Sequence, residues 1–377
     1  MRNILLFFND IQKYPPILSI IDVLLAHNHE VIVLGYCSNQ QTIKNLKEKG
    51  LKYYEITIDQ DKANPFLKLF RILEFKKKAY KLVPKLYKQK NTKLWIFGNR
   101  AAWVLPRLVK QYEAIIYLFE TPELKIHPKF RIISPFINYF SLMQSAWKVV
   151  CCERNRAAIT QSYFQLNKMP LVVPNKPSLK IDNLKPLKEI NSDLYEVCKN
   201  KKVILYQGIF VYPERRLEEL CESISYLSED FIIVLMGGDS KYKRYLQKKY
   251  ESSKIIFTPF IPSPNHLSMT KISYIGFLTY HAPLGDIENS INTLYCAPNK
   301  IYEYSLFDKP MLSTNNPALY EIYKNYHIGK SLDDFSPKNI AKVILELDKH
   351  YKEYSSNCNS FYNAIDIEKL ILDVINE

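Results

Sequence analysis

The chain has 377 residues, 47% of them hydrophobic and 24% charged, which excludes a disordered or fibrous chain and suffices for two ordinary domains. Its formal net charge of +14 is uneven: residues 1–176 hold 28 Lys and Arg against 12 Asp and Glu, a net of +16, while residues 177–377 hold 24 against 26, a net of −2. The first half is thereby expected to face something anionic, and seven cysteines, odd in number and without metal-ligand spacing, read as reduced thiols of a cytosolic protein.

Residues 3–8 form an apolar run suited to a buried parallel strand. Met1-Arg2-Asn3 leads straight into it, without the pattern of a secretory leader, and no stretch is apolar for the length of a membrane span. A loop covers 9–16, helical spacing follows over 17–26, and E-V-I-V-L at 30–34 is a second strand. Strands follow at 53–58, 94–97, 114–119 and 148–152. Such alternation predicts a parallel sheet covered by helices. The first loop lacks G-x-G-x-x-G, which argues against hydride transfer with a dinucleotide bound in this half. At the predicted C-terminal strand ends, where doubly wound sheets bind ligands, stand Asn9 and Asp10, Gly98-Asn99-Arg100, and Glu120 with Glu123. Either glutamate suits binding of acceptor hydroxyls or work as a base; Glu123 equally suits a helix cap.

The stretch 66–93 carries Lys68, Arg71, Lys76, Lys77, Lys78, Lys81, Lys85, Lys88, Lys90 and Lys93 against the single acid Glu74, with Phe, Leu and Tyr interleaved. It predicts a basic amphipathic helix, kinked or ended by Pro84 and suited to an anionic membrane surface. A solvated basic helix is the plain alternative. The run 125–147 fits either a segment dipping into the membrane interface or a core helix. Charge concentrated in one amphipathic stretch, with no recognised motif, argues against a nucleic-acid partner. No H-x-x-H or H-E-x-x-H occurs, so ordinary surface histidines and no bound metal are expected.

V-P-N-K-P at 173–177 marks the domain crossing, and 178–200 reads as a linker with a lead-in helix. A second strand-helix series runs through 202–206, 231–236, 254–257 and 272–279, with 311–313 as its last strand. The amphipathic C-terminal stretch, within 360–377, is assigned to the first domain. Y-Q-G at 206–208 ends a strand and P-E-R-R at 213–216 is predicted to open a helix, a junction where phosphate meets N–H groups and a guanidinium. C-A-P-N-K-I-Y-E-Y-S-L-F-D-K-P at 296–310 reads as a short helix opened by Pro298 and Asn299 and stopped by Pro310. Spacing places Asn299, Lys300, Glu303 and Phe307 roughly on one side. That face suits a nucleotide diphosphate, with Lys300 and the helix start on phosphate and Glu303 on ribose hydroxyls; the alternative is a surface helix with a Lys300–Glu303 pair.

This last run resembles the nucleotide-binding helix of family 4-like retaining glycosyltransferases of the GT-B architecture. V-P-N-K-P, Y-Q-G, R-R-L-E-E-L from Arg215 and M-G-G at 236–238 resemble that family in the same order, over about 148–329. The resemblance implies an α/β fold of two Rossmann-like domains facing across a cleft. They comprise 1–176, joined by the C-terminal helix, and 177–359. It implies a nucleotide-sugar donor, UDP favoured, bound by Gly208, Arg215, Phe260, Ile261, Asn292, Pro298, Asn299, Lys300 and Glu303, with a loop at 280–294 over the donor. Arg215 and Lys300 are assigned to catalysis with Glu120, and Asn9, Asp10 and Glu123 to the acceptor, a glycan or a polyprenyl- or other lipid-linked saccharide. No cofactor or metal is expected, and the protein is placed in the cytoplasm, peripheral on the inner face of the cell membrane. The family's usual first glutamate, eight positions before Glu303, is Tyr295 here. A nucleotide-sugar 2-epimerase of the same fold and a non-catalytic transferase partner therefore stay open.

Overall fold

The computed structural model describes residues 1–56, 65–88, 91–177, 181 and 184–376. Positions 57–58 of the predicted third strand, Lys90 of the basic stretch, and 178–180 and 182–183 of the predicted linker lie outside them. The chain forms two units, residues 1–178 with 366–377, and residues 179–365.

The first unit holds a seven-stranded parallel sheet. Its strands are β1 (Arg2–Asp10), β2 (Glu30–Tyr36), β3 (Lys52–Glu55), β4 (Thr92–Phe97), β5 (Ala114–Leu118), β6 (Lys148–Cys151) and β7 (Leu171–Val172). Their spatial order is 3-2-1-4-5-6-7, so the winding reverses between β1 and β4. Both faces of β1, β2, β4 and β5 are covered, which explains why these strands read as apolar runs, whereas the edge strand β3 is largely exposed. Along β1, Ile4, Leu6 and Phe8 enter one core and Leu5 and Phe7 the other. The segment at 171–173, read as a crossing, is partly the edge strand β7, paired with β6.

The helix Pro65–Leu86 buries Ile72, Phe75, Ala79 and Val83 in the first of these cores. Pro84 lies inside it, and the helix stops two residues later, because a proline in the last turn interrupts little of the ladder. The run 125–147 is not one helix; it forms the helices Pro128–Ile133 and Tyr139–Gln144, which bury Phe130, Ile133, Tyr139, Leu142 and Met143. The C-terminal helix Ile367–Asn376 adds Ile367, Ile371, Val374 and Ile375 to the second core of this unit. The preceding helix, Tyr351–Ala364, belongs to the second unit, so the return begins at 366 rather than 360.

The second unit has a six-stranded parallel sheet of β8 (Lys202–Gln207), β9 (Phe231–Met236), β10 (Ile255–Thr258), β11 (Ile275–Leu278), β12 (Met311–Thr314) and β13 (Gly329–Leu332). The order 10-9-8-11-12-13 again reverses, between β8 and β11. The last strand is β13 rather than β12; G-K-S-L lacks the apolar run that marks the others. All seven cysteines are buried and none forms a disulfide.

Candidate functional site

Ligands of doubly wound sheets bind beyond the carboxyl ends of the strands, where the winding reverses. In the second unit a cavity of about 200 Å³ occupies that place, lined by Tyr206, Gln207 and Gly208 after β8, Thr279 and Tyr280 after β11, and Arg215, Pro298, Asn299 and Lys300. Five residues singled out by the sequence thus converge here: Gly208, Arg215, Pro298, Asn299 and Lys300.

Arg215 reaches the cavity from a turn, not from a helix start. The predicted helix at 213 begins only at Glu218, because the backbone first makes a turn with Arg215 N–H donating to Val211 O at 2.8 Å. Its guanidinium lies 4.2 Å from the ring centre of Tyr280 and donates to Glu214 O at 3.1 Å. Stacking on an aromatic face aims a planar cation without neutralising it. The pairing with a following glutamate falls instead to Arg216, 3.6 Å from Glu219. Arg216 also faces His281 Nδ1 at 3.2 Å. Burial, then the Arg216 and Arg215 charges, lower the His281 imidazole to about 4, so it is neutral near pH 7.

The helix Lys300–Leu306 has only seven residues, with Asn299 as its N-cap making no side-chain capping bond. It is not a surface helix: Ile301, Tyr302, Glu303, Tyr304 and Ser305 are all buried. Gly276 of β11 permits this, since a Cβ there would stand 2.5 Å from the Tyr304 ring. Tyr304 Oη donates to Leu205 O at 2.8 Å, fixing the helix to the sheet.

Glu303 is 4% exposed. Its Oε2 accepts from Lys300 Nζ at 2.8 Å and Gln207 Nε2 at 3.3 Å, and lies 3.2 Å from His266 Nε2. Burial pushes this carboxyl up, but the Lys300 charge and the His266 hydrogen bond outweigh it and hold it at about 2. Thr270 Oγ1 donates to Gln207 Oε1 at 3.1 Å, which orients the amide. Glu303 is therefore a buried anchor that aims Lys300. Of the carboxylate expected to meet ribose hydroxyls, it is Oε2 that faces Lys300, Gln207 and His266.

His266 corrects the expectation of surface histidines. It is buried, and its Nδ1 has no hydrogen-bond partner. Its sequence signal is absent, because the partner lies 37 positions away. Lys243 was also missed: its buried ammonium donates to Gly237 O and Thr258 O, both at 2.7 Å, tying together the ends of β9 and β10.

The other donor-side candidates do not line this cavity. Phe260 exposes 63% of its surface, whereas Ile261 is buried in the core. Asn292 lies on the helix Ile287–Leu294, so the predicted loop at 280–294 is half helical. A neighbouring recess of about 690 Å³ lies beside Arg216, His281, Asn316 and Asp333, at the ends of β11, β12 and β13.

In the first unit, Asp10 Oδ1 accepts from Gln12 N at 3.1 Å and Ser38 N at 2.9 Å. Glu123 caps no helix and pairs with Arg100, while His127 caps the helix Pro128–Ile133. Asn9 bonds the Tyr14 hydroxyl, whose pKa is raised by burial and then by Glu120. Glu120 itself is exposed just past β5. A recess of about 630 Å³ opens at the other end of this sheet, where β6 and β7 begin. Among the described residues no cluster of His, Cys, Asp and Glu is arranged to hold a metal ion.

No protein-family model and no curated protein matches the chain by sequence. Solved structures match its whole length. HepE of Anabaena, solved with UDP, is 12% identical with a TM-score of 0.68, over 99% of this chain and 98% of that one. Sucrose-phosphate synthase of Thermosynechococcus elongatus is 11% identical with a TM-score of 0.71, over 99% and 97%. WaaG, a glycosyltransferase of lipopolysaccharide biosynthesis, is 11% identical with a TM-score of 0.62, over 100% and 99%. The chain therefore has the two-Rossmann GT-B fold of glycosyltransferases.

Proposed function

We propose that the protein is a retaining glycosyltransferase that moves a sugar from a nucleotide diphosphate sugar, UDP favoured, to a glycan or lipid-linked acceptor in cell-surface polysaccharide synthesis. The observation that carries this reading is the cavity at the β8/β11 reversal, where Arg215, stacked on Tyr280, and Lys300, aimed by Glu303, converge. Two fixed cations beside a small cavity suit a diphosphate whose negative charge grows as the glycosidic bond breaks. The fold shared with the UDP-bound HepE supports the same ligand class. With a seven-residue helix behind Asn299, these side chains contribute more than the helix dipole.

The leaving diphosphate accepts the acceptor's proton on the face the acceptor attacks, so no dedicated base is required. Glu120, exposed beyond β5, is assigned to catalysis with Arg215 and Lys300, as a carboxylate suited to orienting the acceptor hydroxyl. Arg215 and Lys300 supply the positive charge, and the reading needs no metal. The acceptor is met at the inner face of an anionic cell membrane. Tyr295, in place of the family's first glutamate, favours one second reading, a non-catalytic transferase partner.

Release of nucleotide diphosphate from UDP-, GDP- and ADP-sugars, with and without saccharide acceptors, tests this, with the product anomer read by proton NMR. Release from a UDP-sugar with retained configuration is expected, and Arg215→Ala should lower kcat/KM by about 100-fold. Inverted product refutes retention. Donor isomerised without acceptor identifies an epimerase, and nucleotide binding without turnover leaves the non-catalytic partner.

A further inference from the structure

We infer that the second unit carries a binding strip for a neutral saccharide chain, made by the rings of Tyr212, Tyr242 and Tyr245. It rests on the glycan acceptor proposed above and names residues that hold such a chain away from the reacting sugar. Tyr212 stands in the turn between Gly208 and Arg215, both of which line the donor cavity. Tyr242 and Tyr245 stand one turn apart on the helix Lys241–Tyr250. Ring centres lie 5.5 Å apart between Tyr212 and Tyr242 and 6.4 Å apart between Tyr242 and Tyr245, the second pair within 16° of parallel. Tyr212 is 60% exposed and Tyr245 50%, on either side of the half-buried Tyr242. The core does not require them outside, since the helix packs inward through Leu246 and Lys243. Large aromatic faces left in series at a surface mark a place where a partner recovers the missing burial.

The strip is held in place from both sides. Tyr242 Oη accepts from Leu217 N at 2.9 Å and donates to Glu218. Ser240 Oγ, at the N-cap of the helix, donates to Phe210 O at 3.0 Å. These bonds tie the helix to both ends of the turn that carries Tyr212, so the rings keep their spacing and little freedom is lost when a ligand lies on them. A row of rings with apolar faces and polar edges matches a pyranose chain, in which each unit offers a C–H face and a rim of hydroxyls. Charge separates this ligand from a polyanion. The helix is basic, but Lys243 is held by two carbonyls, Arg244 pairs with Asp239, and Lys249 lies 3.9 Å from Glu222. Glu218 and Glu222 also reach the helix, through Tyr242 and through Tyr250, whose hydroxyl donates to Glu222 at 2.6 Å. Nucleic acid draws its affinity from cations free to meet phosphate, and carboxylates beside the rings oppose it.

Isothermal titration of the full chain with neutral oligosaccharides of glucose, galactose, mannose and N-acetylglucosamine, from single sugars to hexamers, tests this beside UDP and heparin. Affinity for at least one series is expected to rise from the single sugar to the trimer and to be insensitive to added salt. Tyr212→Ser and Tyr245→Ser, both at exposed positions, should each weaken it by about fivefold or more, while Tyr245→Phe, which keeps the ring face, binds like the parent. Tyr245→Ser should leave UDP binding unchanged. Failure to bind any neutral series, no gain with chain length, or serine variants that bind like the parent overturns the inference. So does heparin binding or self-association that the same variants abolish while neutral chains are ignored. If the saccharides fail and UDP still binds, this inference falls and the donor reading stands; the reverse outcome isolates a failure of the donor reading.

Discussion

Glu303 takes two donors and a histidine nitrogen on one carboxylate oxygen, in a place almost without water. Glu303→Ala removes the acceptor of all three groups, and roughly 3 kcal/mol of stability should go with it in urea denaturation. Because the folded carboxyl is held at about 2 against an ordinary 4.5, its stabilisation is complete above pH 4.5 and is lost as pH falls toward 2. Glu303→Gln should flatten the stability curve in that window; an unchanged slope contradicts the assignment. His281 titrates in a separate window. Its folded pKa of about 4 lies below an ordinary 6.5, so stability should decline as pH falls from 6.5 to 4. His281→Gln should remove that decline.

The helix Pro65–Leu86 has one face committed to the core and another that is not, and substitutions should separate them. Phe75→Ala, at a fully buried position, is expected to cost about 3–5 kcal/mol, and Phe70→Ala no more than about 0.5 kcal/mol, by thermal or urea unfolding. The amphipathic character was legible from the lysines between apolar residues, but the division of those apolar residues between core and surface was not, because both faces carry aromatics. Strands buried on both faces were legible as apolar runs, whereas two-residue β7 and polar β13 left no such trace. The phosphate-side helix was readable from P-N-K to Pro310. Its depth was not, since burial of Glu303 depends on His266 and Gln207, distant in sequence. Gly276→Ala, driving a Cβ to 2.5 Å from the Tyr304 ring, should displace this helix and weaken UDP binding even where the protein still folds. Isothermal titration would detect the loss.

Across the whole molecule, charge is unevenly divided: residues 1–176 carry a net +16 and the remainder −2, while the second unit brings Arg215 and Lys300 to one cavity. The order of the second-unit motifs indicated the architecture, because each motif sits at the end of a strand or the start of a helix that the fold requires. The local partners in the first unit were less legible: Asp10, which ends β1, takes two N–H groups on Oδ1, and Glu123, in the stretch after β5, pairs with Arg100. The claim that joins these observations is that the β8/β11 cavity binds a nucleoside diphosphate. Thermal unfolding of the full chain with UDP, GDP and ADP, repeated on Arg215→Ala and Lys300→Ala, tests it most directly. UDP at about a hundred times its dissociation constant should add about 2.7 kcal/mol and raise Tm in the parent chain, with the shift reduced in both variants. A parent chain whose Tm no nucleotide moves, or a UDP shift that both variants keep in full, would contradict it.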